Sequence, residues 1–487
     1  MTIRRGLILL TFLALLGYGA VLARHVSFAV GGSDSSGYAN TARMLVTGRL
    51  VSRIEALDRL GLPDRFDRVF MPLAYEPGPR PGTMAPFYPP GYPLHFAAAG
   101  LLFGWDHAPY FVNPLAALLL VLLTYLLARE LQLSQPLAIA CAAILAACAV
   151  LVSQAEQAMS DVTAALWVAA AILFALRSRH RDAWAAAAGA AFGMAVLVRP
   201  ANALAGVPLL LALAWRPRTF ALLAAGGLPF AAFQFWWSET LYGNPLRTGY
   251  GGLGDFQLAT FPQHLGDYAR SLTYTFSPLV PFGWLGVAGS RQVPLRDRAL
   301  LILWFAPYFL LYCFWGPWFP RFLLPAFPAL VIAAILTARN LLRRLPAIAR
   351  GPLRSQRAAL AVGAVLLLLV VDAERRELRR RHPLRIAEDE KIYPLSMELA
   401  RSMLPERSLV LSMQVSGSLR YSTSFQPVRW DWLDPADFPL LREKARARGY
   451  RLFALLFSFE EEVIGGKIPG TWKVIGHVRD ARLWELE

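Results

Sequence analysis

The chain is poor in lysine, in cysteine and in charge of any kind. All four lysines, Lys391, Lys444, Lys467 and Lys473, fall near the C-terminus, and everything before them takes its positive charge from arginine alone. Charged residues make up 17% of the sequence against 56% hydrophobic, and mean hydropathy is +0.41. Those values exclude a water-soluble enzyme of this length and indicate a multi-spanning membrane protein. The three cysteines, Cys141, Cys148 and Cys313, lie inside apolar runs, so neither a disulfide framework nor a cysteine metal site is expected. HExxH and comparable ligand spacings are absent, so no metal ligands are assigned from motif; no cofactor is certain, and a divalent metal is left open.

What is there begins with apolar runs. A spanning helix needs about 20 apolar residues, and on that criterion spans are expected near 6–24, 110–128, 136–152, 161–176, 183–198, 201–215, 219–237, 272–289, 299–315, 322–338 and 358–372, about 11 in all. Arg4 and Arg5 before the first run suit a signal peptide too, but the small-residue cleavage pattern is lacking near Ala23 and many spans follow, so an uncleaved first helix is expected. The formal net charge of +16 suggests nucleic acid at first sight. The basic residues instead cluster between alternate apolar runs, as the positive-inside rule requires, and no nucleic-acid partner is expected. Arg4, Arg5, Arg129, Arg177, Arg179, Arg181, Arg216, Arg218, Arg291, Arg296, Arg298, Arg339, Arg343, Arg344, Arg350, Arg354 and Arg357 fall on one side; the short loops of the other carry only Arg199, Arg247, Arg270 and Arg321.

This places the N-terminus in the cytoplasm and residues 25–109 outside. Tyr92 to Gly104 is apolar but short, and is expected to lie in the interface, anchored by Tyr88, Tyr92 and Trp105. Counting it as a span would reverse every later loop. From about Pro383 the sequence reads as soluble: a strand in RSLVLSMQV, a helix over Pro435–Arg448, a strand in YRLFALLFSF and a hairpin from TWKVIGHV and ARLWELE. The expected fold class is therefore an α-helical polytopic membrane protein, 1–372, with a small C-terminal α/β soluble domain, 383–487, on the outer side.

Polar residues at a membrane edge are costly and are functional candidates. Asp34 lies in GGSDSSGYANTARMLVTG, Gly31 to Gly48, just beyond the first span; preceding a helix over Ser35–Val46, it also reads as that helix's N-cap. Glu156 and Asp161, in SQAEQAMSD, lie on the same outer side; a solvated loop charge and an N-cap are their plainer readings. Arg199 in VLVRPANAL and Arg321 in WGPWFPRFLLP break apolar helices on that side, either meeting an anion or snorkelling to the interface. In PFYPPGYPLHF, Pro86 to Phe96, prolines stiffen an aromatic surface that suits either a membrane belt or a stacked ligand; His95 within it suits packing or titration. Tyr38, Tyr88, His95, Glu156 and Tyr250 complete the candidate substrate-contacting set.

The order of these motifs resembles a known family. An Asp with a following Tyr after the first span, YPPGYP opening an interfacial helix, an acidic loop before the fourth span, LVRP, YGNPLRTGYG at Tyr242 to Gly251, and RFLLPAFP before a late span are similar to membrane glycosyltransferases of the GT-C fold, among them bacterial relatives of protein O-mannosyltransferases and lipid A aminoarabinose transferase. The similarity covers roughly residues 1–345. It implies a polyprenyl-phosphate sugar donor, a lipid, glycan or protein acceptor, transfer at the periplasmic face of a bacterial inner membrane, and inversion at the anomeric carbon. Asp34 matches the family's first-loop catalytic aspartate, Asp161 a second acidic position, and Arg199 and Arg321 basic positions facing the donor phosphate. Ser35 stands where many members carry a second acidic residue. The rival readings are a transporter or flippase of a lipid-linked saccharide, for which mid-span charges and internal repeats are missing, and a non-catalytic subunit of an envelope complex.

Overall fold

A computed structural model describes residues 3–250, 253–344 and 383–487, with 368, 370–373, 375–377 and 379–380. After α1 (Ile3–Arg24), the chain enters a long loop holding α2 (Gly32–Thr47), β1 (Ser52–Arg53), α3 (Glu55–Leu60), β2 (Tyr75–Pro77), β3 (Thr83–Pro86) and α4 (Gly91–Phe103). The helical bundle then runs through α5 (Val112–Glu130), α6 (Gln135–Ala147), α7 (Ala149–Ala155), α8 (Ser160–Ser178), α9 (Trp184–Val198), α10 (Gly206–Ala212), α11 (Pro217–Tyr242), α12 (Phe261–Phe276), α13 (Leu279–Val287), α14 (Leu295–Phe314) and α15 (Phe327–Arg344).

Among the described residues, five helical stretches are long and apolar enough to cross a membrane, and α6 with α7, bent by 60° at their junction, makes a sixth. The expected count of 11 is therefore larger than the number meeting that test: α9 and the Pro200–Ala212 stretch are apolar but shorter. The span expected at 272–289 is not one helix. Ser277 adopts φ +61 and is followed by Pro278, a combination that ends α12 and starts α13 in a new direction. The span expected at 358–372 lies largely outside the described residues.

Among the described residues, Arg177, Arg179, Arg216 and Arg339, all assigned to one side, lie at one end of the bundle. Arg177 pairs with Glu130 at 3.1 Å, Arg179 with Asp297 at 3.1 Å and Arg216 with Asp182 at 2.9 Å, while Arg339 donates to the Gln132 carbonyl at 3.2 Å. Arg199 and Arg321 lie at the opposite end, with Asp34. Helix α4, the apolar stretch Tyr92–Gly104, packs against α2 and α9 at this second end, and Leu101, Leu102 and Phe103 at its tip are left uncovered by protein.

Residues 383–487 form a five-stranded sheet with β4 (Ser408–Leu411), β5 (Gln426–Val428), β6 (Arg451–Phe457), β7 (Trp472–Val478) and β8 (Ala481–Leu486) in the order β5-β4-β6-β8-β7. The first three strands are parallel and the hairpin β7–β8 adds antiparallel to β6. Strands β4 and β6 are buried almost throughout and read as unbroken apolar runs because helices cover both faces. These include α16 (Ile392–Met403), α17 (Ser416–Ser422) and α18 (Phe438–Ala447).

This module is not a free appendage. Ile54, Leu57, Phe66 and Phe70 of the first loop share one apolar core with Leu411, Trp430, Phe438 and Ala454, each large side chain adding about 1.5–3 kcal/mol on burial. Ser418 Oγ donates to the Val30 carbonyl at 2.6 Å, Asn40 Nδ2 to the Gly417 carbonyl at 3.0 Å, and Arg65 pairs with Asp437 at 2.9 Å. The module thus buttresses α2 from the side away from the bundle. It also lies at the Asp34 end, whereas α15 leaves Arg339 and Asn340 at the other, against Gln132 and Ser290.

Candidate functional site

Asp34 is not an N-cap. Gly31 occupies that position with extended backbone, and Asp34 lies in the first turn of α2, where the helix dipole favours a negative side chain. Its carboxylate has two donors: Tyr88 Oη gives a hydrogen bond to Oδ1 at 2.5 Å and Arg321 Nη2 one to Oδ2 at 3.1 Å. Tyr88 reaches it because Gly37, one turn further along α2, has no Cβ; the place one would take is filled by the Tyr88 ring and the Ala74 methyl. Burial, then the neighbouring Asp34 charge, pushes the Tyr88 phenol well above its usual range, so it stays a neutral donor.

Asp161 sits one residue into α8, with Met159 as the cap. Its side chain is fully buried, and Oδ2 lies 3.0 Å from Arg199 Nη2 and 3.9 Å from Arg321 Nε. An isolated carboxylate there would be prohibitive, and the two guanidinium groups are what make it tenable. Arg199 is held in turn: its Nε donates to Ser160 Oγ at 2.8 Å, and that hydroxyl shares a 2.8 Å hydrogen bond with Tyr38 Oη. Its backbone is placed by Gly91, the centre of YPPGYP, which has no Cβ and so lets the start of α4 lie directly on the Leu197–Val198 backbone. Arg321 stacks over Phe319 with 4.5 Å to the ring centroid, and Phe322 lies under both arginines.

The result is an alternating chain of charge, Asp34–Arg321–Asp161–Arg199, roofed by rings. Tyr38 lies 4.7 Å from Tyr88 and 4.8 Å from Tyr92 between centroids, and Tyr250 packs 6.0 Å from Tyr88. Of the candidate residues, the structure brings together Asp34, Asp161, Arg199, Arg321, Tyr38, Tyr88 and Tyr250. Neither arginine snorkels to the solvent: Arg199 is 12% and Arg321 21% exposed.

Two candidates stay outside. His95 has both ring nitrogens committed, Nδ1 donating to the Gly91 carbonyl at 2.7 Å and Nε2 accepting from Trp167 Nε1 at 2.9 Å; burial lowers its pKa, so it remains neutral and packs α4 against α8. Glu156 is buried with neither carboxylate oxygen hydrogen-bonded, and its backbone carbonyl accepts from Ser27. Sequence reasoning missed Ser160, Ser33, which shares a 2.9 Å hydrogen bond with Tyr88, and Tyr312, buried in α14 beside Arg199. Serines and a mid-span tyrosine carry no sequence signal of such a role.

Burial pushes the Glu156 carboxyl up to about 8. The folded chain then keeps a proton that the unfolded chain releases above about 4.5, so this residue's contribution is neutral below that value. It becomes destabilising as pH rises towards 8, by about 1.4 kcal/mol per unit. The wild type should lose thermal stability between pH 6 and 8 relative to Glu156→Gln, and parallel melting curves for the two proteins across that range would remove the effect.

Among the described residues no group of three or more His, Cys, Asp or Glu side chains comes together. The two central carboxylates each meet a guanidinium, so this donor set fits paired arginines and not a divalent cation, which would have to displace them.

The sequence model of the family described as dolichyl-phosphate-mannose-protein mannosyltransferase matches residues 88–235, the stretch from Tyr88 through α4 and Arg199 into α11. No curated protein matches. Among solved structures, ArnT from Cupriavidus metallidurans in the apo state superposes with a TM-score of 0.63 at 14% identity, covering 99% of this chain and 98% of that one. The same protein bound to undecaprenyl phosphate gives 0.61 at 15%, covering 98% of each. The arabinofuranosyltransferase AftD from Mycobacteria gives 0.57 at 15%, covering 97% of this chain and 40% of that one. The likeness to ArnT extends through the C-terminal module, and the chain shares the GT-C fold with these glycosyltransferases.

Proposed function

We propose that this protein is a membrane glycosyltransferase that moves a sugar from a polyprenyl-phosphate donor to an acceptor hydroxyl, on the periplasmic face of a bacterial inner membrane. The observation that carries the reading is the chain Asp34–Arg321–Asp161–Arg199 at one end of the bundle, a carboxylate able to take a proton beside two cations able to hold a phosphate. In the reaction the acceptor oxygen attacks the anomeric carbon and gives its proton to Asp34, while the bond from that carbon to the phosphate oxygen breaks. The phosphate leaves with one more negative charge, which Arg199 and Arg321 meet. Attack opposite the departing phosphate inverts the anomeric centre.

Each requirement has a residue. Proton transfer in the transition state needs a positioned base, and the Tyr88 and Arg321 hydrogen bonds orient the Asp34 carboxylate. Charge developing on the leaving group needs fixed cations in a low-dielectric setting. Asp161, buried behind the arginines, is a positioning residue: it keeps both guanidinium groups in place before the donor arrives. The undecaprenyl phosphate of the ArnT complex supports the donor class. Charges gathered at one end of the bundle favour transfer over transport, for which a binding site near mid-membrane is the usual arrangement.

The test is transfer itself. Purified protein in detergent, given radiolabelled polyprenyl-phosphate sugar and a lipid and glycan extract, should form a covalent product retaining the label. Accumulation of label inside proteoliposomes with no such product would favour the transporter.

A further inference from the structure

A second concave surface lies at the far end of α2. Asp34 is in the first turn of this helix, and its C-terminal residues Leu45 and Val46 face a groove of about 790 Å³ walled by Leu94 and Leu101 of α4 and by Phe233 and Trp236 of α11. At 1.5 Å per residue, the 15 residues from Asp34 to Arg49 put the groove mouth roughly 20 Å from the proposed base. The lining is apolar, and its volume is in the range of pockets that enclose small-molecule ligands, about 300–1,000 Å³.

The groove lies at the membrane boundary. Helix α11 packs along one face on α9, where Gly189 and Gly226 let the two backbones touch, and leaves most of its other side chains uncovered by protein; Phe233 and Trp236 belong to its last turns, just before Tyr242 ties it to the first loop through the Pro86 carbonyl at 2.7 Å. Leu101 is 64% and Trp236 52% exposed, side chains suited to the acyl region and to the interface respectively.

Arg49 and Val51 line this groove and also a second, polar cleft of about 380 Å³ that opens beside it. That cleft is formed jointly by the first loop, with Arg49, Arg53 and Arg59, and by the C-terminal module, with Arg420, Ser424 and Gln426. Arg53 is paired with Asp58 and Arg59 with Glu55. Arg420 lies near the Tyr75 phenol, whose hydroxyl donates to Met44 Sδ at 3.4 Å, and among the described residues neither Arg420 nor Arg49 has a carboxylate partner. An apolar groove at the membrane edge thus runs into a cleft with two uncompensated guanidinium groups. That sequence of chemistries, apolar then cationic, complements an anionic amphiphile.

We propose that the groove and cleft together hold one anionic membrane phospholipid, its acyl chain against Leu94, Leu101 and Trp236 and its phosphate between Arg49 and Arg420. Arg49 belongs to the loop and Arg420 to the module, so the bound phosphate bridges the two units. The site is separate from the one that takes the donor, and the proposal does not depend on the reaction.

Binding is read without activity. The delipidated full-length protein in detergent is titrated with phosphatidylglycerol, with phosphatidylcholine of the same acyl chains, and with glycerol 3-phosphate, following bound lipid by native mass spectrometry and the melting temperature in parallel. Phosphatidylglycerol should bind at least about tenfold more tightly than phosphatidylcholine, a difference of about 1.4 kcal/mol, and should raise the melting temperature; glycerol 3-phosphate should do neither. Arg49→Ala and Arg420→Ala should each remove that preference, and Ala98→Trp, filling the groove, should weaken both lipids. Equal binding of the two lipids, an equal effect of glycerol 3-phosphate, or an undiminished preference in both arginine variants would overturn the proposal. Each variant's melting temperature without lipid shows whether it is folded, and Arg49→Gln, at an exposed position, serves where alanine fails.

Discussion

Asp34→Asn should reduce kcat for sugar transfer by about 10²–10⁴-fold, the range that a positioned general base contributes, with donor affinity changed only a few-fold. Asparagine has the shape of aspartate and fits the same contacts. Its Oδ1 accepts from Arg321 as Oδ2 does now, and its Nδ2 faces Tyr88, whose hydroxyl turns to accept instead of donate. The stacking of Tyr38, Tyr88 and Tyr250 is untouched, so the folded site survives and the proton acceptor alone is lost. Initial rates of label transfer, with the melting temperature as a control, decide the matter. An undiminished rate in a folded variant removes Asp34 from the mechanism.

Arg321→Ala should weaken donor binding by about 30- to 100-fold, since a hydrogen bond to a charged group contributes roughly 1.5–3 kcal/mol, with a much smaller change in KM for the acceptor. Arg321→Lys should recover part of this, retaining the charge but not the planar fork that spans two anions. The same substitution frees Asp34 from one of its two donors, so kcat falls as well. Arg199→Ala is the less informative neighbour: it strands the buried Asp161, and breaking a buried pair costs about 3–5 kcal/mol, which confounds binding with folding. Donor affinity is measured by displacement of labelled polyprenyl phosphate. Unchanged donor affinity with a raised acceptor KM would reverse the assignment of Arg321.

The strands of the C-terminal module were legible because each is a short apolar run bounded by turns, a local pattern. The kink between α6 and α7 and the break at Ser277 were not, because an apolar run looks the same whether its helix is straight or interrupted. Asp34, Asp161, Arg199 and Arg321 stood out individually, each a charge at the edge of an apolar segment. Their partners did not: an N-cap reading of Asp34 stood beside the catalytic one, and the observed cap at Gly31 removes it. His95 suited packing or titration from the sequence, and the structure decides for packing, because both of its nitrogens are taken by groups on two different helices.

What the sequence determined by itself is therefore the membrane-protein class, the segregation of most arginines from four, and the end of the bundle at which costly polar residues gather. These follow from hydropathy and charge along a line, and the bilayer reads them in the same way. The tertiary structure alone decided that Arg321 lies between Asp34 and Asp161, that Asp161 is wholly buried, and that the module shares a core with the first loop. Arg321 and Asp34 are separated by 287 residues, and no local rule links them. Their contact exists because packing brings the start of α2 to the segment before α15, and because a buried carboxylate is tenable only where a guanidinium already stands.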